Sequence, residues 1–245
     1  MREGWTREPS EDPRMSISVA IPVFKSDQTL YRALASVSDA WLGAHGSEHW
    51  DHLELIAVLD GHDARCRQIL EEFFADFRGR SAVLEIEQSG IAVARNAALE
   101  VAQMKMFTVL DADDEVTAFR FQEASRLDGS PVMGRHELVI DPGASPLPLE
   151  RDNQLNYSSL VISTELARTL GGFDSQLELA CDLEFVGRVI AHEIDVRLSD
   201  SVFVRRHITG GNASLDRPTL MEERILSLHK FIHGRQDFYD AKDTL

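Results

Sequence analysis

Apolar residues along the first half of the chain fall into two alternating patterns. Short β-rich runs occur at residues 17–24 (ISVAIPVF), 53–59 (LELIAVL), 82–87 and 106–110. Each is brief and bounded by polar residues, as expected of strands buried on both faces of a sheet. Between them apolar residues recur every three or four positions, which predicts helices. Leu30, Ala33, Leu34, Val37 and Trp41 form the first such stripe, with Ser26 or Asp27 as cap. Ile69, Leu70, Phe73, Phe74 and Phe77 form the second, capped by Asp63 and closed by Gly79. The third is the alanine-rich stretch 88–98, QSGIAVARNAA, with Arg95 and Asn96 inside it. Strand and helix alternating in this way mark a parallel sheet with crossover helices.

After Val116 the rhythm loosens. A helix capped by Thr117 is expected to about Leu127, then one or two strands over 131–140 and a proline-rich loop over 141–151 that reads as a lid. A short strand over 157–162 precedes a helix capped by Ser163 and stopped at Gly171 and Gly172. Another helix, from near Asp182, carries Leu183, Val186, Val189 and Ile190 on one side. One or two strands over 195–207 lead into the loop HITGGNAS. The tail, 218–232, reads as an amphipathic helix with Ile225, Leu228, Phe231 and Ile232 inward. His229 and His233 on it read as part of a solvated face. Residues 1–14 are polar and aperiodic, a disordered lead.

Composition narrows the class. A chain of 245 residues holds one large α/β domain or two modest ones. A net charge of −16 argues against nucleic acid or anionic lipid as a general partner. Cys66 and Cys181 lie far apart, suggesting neither a disulfide framework nor a zinc knuckle. With no signal-like leader and no apolar run near the roughly 18 residues of a membrane span, a cytoplasmic protein is expected.

The candidate chemistry gathers at MFTVLDADDEV, residues 106–116, where the apolar run stops at Asp111, Asp113 and Asp114. The carboxyl edge of an open α/β sheet is where ligands bind. Two carboxylates one residue apart make a hard oxygen site suited to Mg²⁺ or Mn²⁺, and the clustered charge calls for something cationic. A solvated acidic turn is the plainer alternative. Asp60 is a second carboxylate at a strand end. His45, His49 and His52 lack the carboxylates that would complete a metal site.

Taken in order, SVAIPVF, IAVLDG, SGIAVARNAAL, VLDADDE and GGFDSQLELACDLEF resemble the inverting nucleotide-sugar glycosyltransferases of family 2, over residues 16 to about 214. The resemblance implies an α/β GT-A fold. Its mostly parallel, Rossmann-like sheet is flanked by helices, with a small antiparallel acceptor-side portion and a C-terminal helix. It divides the chain into a lead (1–14), a GT-A domain (15–214, with a nucleotide-binding half to 114 and an acceptor half after it) and a helical tail (215–245). It implies transfer of a sugar, with UDP-sugars favoured, to a hydroxyl of a saccharide, glycolipid or natural product. Asp182 matches the general base. Pro22, Asp60, Arg95 and Asp111 fall among the donor contacts, Asp60 on the uracil imide. Asp111, Asp113 and His207 match the ligands of Mn²⁺ or Mg²⁺, and Asp114 a supporting hydrogen-bond partner.

Two departures stand out. Cys181 replaces the Glu that often precedes the base, and Leu59-Asp60-Gly61-His62 stands where paired aspartates before Gly-Ser are common. Glu115 occupies the position where haloacid-dehalogenase phosphatases want Thr or Val, and Val116 the glycine position of an EF-hand loop. The alternative function is a non-catalytic nucleotide-binding scaffold on the same fold. Donor sugar, acceptor and oligomeric state are left open.

Overall fold

The computed structural model describes residues 16–46, 49–126, 129–144, 154–209 and 216–242, without the side chains of 217 and 231–242. Strands β1 (Ile17–Val23) and β2 (Leu53–Asp60) are buried along their whole length, as their apolar composition demands. With β3 (Arg80–Ile86), β4 (Met106–Val109) and β7 (Ile162–Ser163) they form a five-stranded sheet in the order β3-β2-β1-β4-β7. The first four are parallel, and β7 closes one edge antiparallel. The chain runs outward from β1 through β2 to β3, then returns to the other side of β1 with β4. That reversal leaves a crevice at the carboxyl ends of β1 and β4, where open α/β sheets bind ligands.

Successive strand residues face opposite layers. Val19, Ile21, Leu55 and Ala57 pack with α1 (Leu30–His45) and α2 (Ala64–Ala75) in one core. Ala20, Ile56, Val58, Phe107 and Val109 pack with α3 (Ile91–Val101), α5 (Thr164–Thr169) and α6 (Cys181–Ala191) in the other. Asp63 caps α2 as expected, accepting from the N–H groups of Arg65 and Cys66, and Ser163 caps α5 through Leu166 N–H. At α1 the expected side-chain cap is replaced by the Ser26 carbonyl, which accepts from Thr29 and Leu30. Gly79 does not stop α2, which ends at Ala75. It is needed because a Cβ there would sit 2.7 Å from the Leu53 carbonyl.

The second half departs from the expected pattern in three places. A second sheet, in the order β5-β8-β6, joins β5 (Glu115–Val116), β6 (Val132–Ile140) and β8 (Arg197–Ile208). It is mixed: β5 runs antiparallel to β8, and β6 runs parallel to it. Thr117, before α4 (Ala118–Ser125), gives its hydroxyl to the Val202 carbonyl and so ties that helix to β8 instead of capping it. The strand expected over 157–162 is a 3-10 turn, Tyr157–Ser159, followed by the short β7. Ser158 and Ser159 satisfy themselves on Asn156, which competes with a ladder.

The tail helix α7 (Arg217–Lys242) corrects the expected amphipathicity. Ile225 and Leu228 are 62% and 55% exposed, while Glu223 and Ser227 are buried. Its inward stripe is polar because the surface it meets presents backbone N–H groups. Phe231, Ile232 and His233 lie outside the described side chains, and His229 is exposed. On α6, Val186 and Val189 are buried as expected, but Ile190 is 43% exposed. Residues 1–14, most of the loop read as a lid (145–151) and most of the HITGGNAS loop (210–214) lie outside the described residues. Among the described residues no helix is long and apolar enough to cross a membrane.

Candidate active site

Three strand ends deliver the expected donor-site residues to one edge of the main sheet. Pro22 lies in β1 beyond Ala20, the last β1 residue paired with β4, and Val58 is its β2 neighbour. Asp60 ends β2 and is buried. Its two oxygens accept from Ser89 N–H at 2.6 Å and Gly90 N–H at 2.9 Å, shaping the turn that opens α3. Asp111 follows β4, in register with β1 through Leu110 N–H on the Ala20 carbonyl. A tight turn comes next, closed by Asp114 N–H on the Asp111 carbonyl at 3.1 Å.

Arg95 joins this edge to the second half of the chain. Its side chain is 3% exposed. One guanidinium nitrogen donates to Asp111 Oδ1 at 2.7 Å and another to Cys181 Sγ at 3.2 Å. Its positive charge also bears on Asp182, at the start of α6. Burial pushes the Asp182 carboxyl above its ordinary range, and Arg95 opposes that rise. Burial likewise pushes the Cys181 thiol up to about 11 against the pull of Arg95, so the sulfur acts as a neutral acceptor at physiological pH. Asp182 Oδ1 accepts from Leu183 N–H at 2.8 Å.

The acidic turn is answered from within the protein. Besides Arg95, Arg32 on α1 donates to the Asp113 carbonyl at 2.7 Å. Arg120 on α4 lies wholly buried behind the turn, donating to the Val109 carbonyl at 2.7 Å. Desolvation lowers the Arg120 guanidinium to about 10, while Asp111 and Asp114 hold it up. Asp114 is raised well above the carboxylate range, first by burial and then by Asp113 and Asp111. Its carboxyl accepts from His207 N–H at 2.9 Å, fixing the end of β8.

His207 is held from both sides of its ring. Nε2 lies 2.6 Å from Glu115 and Nδ1 3.0 Å from Asp141. To join a metal shell the imidazole has to exchange one of these carboxylates. Among the described residues no group of three or more His, Cys, Asp or Glu side chains forms a ready cage. Asp111 and Asp113, both partly exposed and one residue apart, are hard oxygen donors that would suit a divalent cation shared with a phosphate-bearing ligand.

Residues 18–124 match the model of glycosyl transferase family 2. This segment is a family 2 glycosyltransferase domain. It contains Pro22, Asp60, Arg95, Asp111 and Asp113, whereas Asp182 and His207 lie beyond it. Solved structures extend the likeness of fold past the family 2 segment. A mannosyltransferase from Pyrobaculum calidifontis, PcManGT in complex with GDP-Man and Mn²⁺, superposes with a TM-score of 0.68 at 18% identity, covering 95% of this chain and 68% of that one. TarS 1–349 from S. aureus in complex with UDP-GlcNAc gives 0.65 at 16%, covering 82% and 61%. A further TarS structure gives 0.63 at 17%, covering 80% of this chain and 37% of that one. The chain thus spans between about a third and two thirds of the length of these structures. No curated protein matches it significantly in sequence.

At this edge the structure gathers residues to which the sequence pattern assigned no site role. Arg32, Arg120, Glu115 and Asp141 all reach the acidic turn or His207, and only Glu115 lies within the motif itself. Asn96, next to Arg95, binds the backbone of Phe173 and is legible only as a polar residue in an alanine-rich helix. A buried Arg is hard to anticipate, because surface arginines are the rule.

Proposed function

We propose that the chain transfers a sugar from a nucleotide diphosphate-sugar to a hydroxyl acceptor, with inversion, in a single displacement. The observation that carries this reading is Arg95, whose buried guanidinium donates to Asp111 at the proposed donor edge and to Cys181, the residue before Asp182. One fixed cation thereby ties the turn after β4 to the start of α6.

In the proposed step the acceptor oxygen attacks the anomeric carbon from the face opposite the diphosphate. The bond from that carbon to the phosphate oxygen breaks, and the electron pair leaves with the nucleoside diphosphate. The acceptor proton passes to the Asp182 carboxylate as the new bond forms. The raised affinity of Asp182 for protons suits a base that must capture one. A divalent ion, Mn²⁺ or Mg²⁺, held by Asp111 and Asp113 supplies charge neutralisation at the diphosphate. The Arg32, Arg95 and Arg120 guanidinium groups keep the two carboxylates and their turn in place for it.

UDP is the favoured nucleotide. Asp60 uses two of the roughly four lone-pair positions of its carboxylate on Ser89 and Gly90, which leaves capacity for the ring imide of uracil. The solved relatives differ on this point, TarS being complexed with UDP-GlcNAc and PcManGT with GDP-Man. Calorimetric titration of UDP, GDP, CMP and dTDP, with and without Mn²⁺, tests the donor site. Metal-dependent binding of one nucleotide by the wild type and its loss in Asp113→Ala is the expected result. Asp182→Asn is expected to bind the donor and lose about 10²–10⁴-fold in turnover. Absence of nucleotide binding under every condition overturns the reading.

A further inference from the structure

The segment that leads into α6 is organised by a helix far along the chain. Glu178, Leu179 and Ala180 donate their backbone N–H groups to the Glu223 carboxylate at 2.7, 2.7 and 2.8 Å. Three successive amides of this kind form an anion-binding nest, and here its anion is a buried side chain of α7. Lys230, two turns further along α7, pairs with Asp174, whose carboxylate also accepts from Gln176 N–H at 2.9 Å. Between them the Ser227 hydroxyl donates to the Glu223 carbonyl at 2.8 Å. Residues 223, 227 and 230 share one helix stripe. Through it α7 grips segment 174–180 at both ends.

Asp182 lies two residues beyond the last gripped amide. Its own oxygen is turned back onto Leu183 N–H, so its place is set by where α6 begins. Ala180, the residue before that helix, uses no side chain of its own as a cap. The Glu223 carboxylate of α7 holds instead the three amides that lead into the helix.

We propose that Glu223 is a positioning residue for Asp182, fixing the first turn of α6 through the 178–180 amides; the role rests on Asp182 being the base. A carboxylate that serves only to dock α7 would change stability and leave the catalytic step alone. The two roles therefore differ in what they move. Donor contacts at Asp60, Asp111 and Asp113 come from β2 and the β4 turn, away from Glu223, so a positioning role acts on kcat and spares donor KM.

The test combines amide hydrogen exchange with release of nucleoside diphosphate from UDP-GlcNAc and GDP-Man. It compares wild type, Glu223→Ala, Glu223→Gln and Lys230→Ala. In Glu223→Ala, amides 178–183 are expected to exchange at least about tenfold faster, with β1, β2 and β4 unchanged. Its kcat is expected to fall about 10–100-fold, with donor KM within about twofold. Glu223→Gln, which keeps one acceptor oxygen, falls between, and it carries the test if the alanine variant does not fold. Lys230→Ala loosens 174–177 and leaves kcat within about threefold of wild type. Unchanged exchange at 178–183, or loosened amides with unchanged kcat, overturns the proposal. A wild type that turns over neither donor counts against these two sugars as its donors and not against Glu223. Exchange then decides by itself whether Glu223 orders the start of α6.

Discussion

Asn96 binds both backbone polar groups of Phe173: its amide donates to the Phe173 carbonyl and its oxygen accepts from the Phe173 N–H, each at 2.7 Å. The pair closes like a rung of a sheet ladder between α3 and the GGF turn. Directly before it, Gly172 has φ +67°, and a Cβ there would meet the Asn96 oxygen at 2.3 Å. Gly171 also has positive φ, +84°, but faces nothing nearer than Arg188 at 3.8 Å. Gly171→Ala should therefore cost about 1–3 kcal/mol from backbone strain alone, and Gly172→Ala clearly more. Paired urea unfolding curves check the order. Equal costs would show that the Asn96 rung yields freely.

Asn96→Ala leaves a buried N–H and a carbonyl without partners, an expected loss of about 1–3 kcal/mol. The Phe173 ring packs on Phe185 of α6, with centroids 4.8 Å apart, so the loss should loosen α6 as well. Exchange protection over 181–191 measured alongside denaturant unfolding reads both effects.

Arg95→Lys keeps the charge and gives up the fork. A single ammonium cannot reproduce the pair of contacts to Asp111 and Cys181. Turnover is expected to fall at least about tenfold, with a smaller stability loss than in Arg95→Met, which leaves Asp111 and Cys181 without their shared donor. Steady-state kinetics and thermal melts of the two variants separate charge from geometry.

Stability at low pH should carry the mark of Asp63. Hydrogen bonds from the Cys66 N–H above all, with Arg65, hold its carboxyl below the usual range. A lowered folded-state value means that the contribution is present above the unfolded value, about 3.9, and is lost as pH falls through the folded one. Asp63→Ala should cost about 1 kcal/mol near neutrality and little at about pH 2. Urea midpoints at the two pH values test the difference.

The sequence made the first half of the fold readable because its strands are continuous apolar runs and its helices keep a strict stripe. Leu30 through Trp41 on α1, Asp63 before α2 and Ser163 before α5 all serve locally, within a turn of where they stand. Long-range partners are a different matter. Nothing near Arg120 in sequence announces that it lies beneath the acidic turn, and nothing near Glu223 announces three waiting amides. The tail misled for the same reason: Ile225 and Leu228 look like an inward face until the polar surface opposite is known. The parallel pairing of β6 with β8 likewise depends on a connection that periodicity cannot see.

Arg95 and Asn96 are consecutive, yet one reaches the carboxylate after β4 and the other the turn before α6. A displacement of α3 therefore carries together Asp111, the proposed donor contact, and the segment leading to Asp182, the proposed base. Their separation is insulated from breathing of the helix against the sheet, much as two pointers on one axle keep their angle while the axle shifts. Mutations that loosen α3 as a whole should thus erode stability well before they spoil the alignment of the reacting groups.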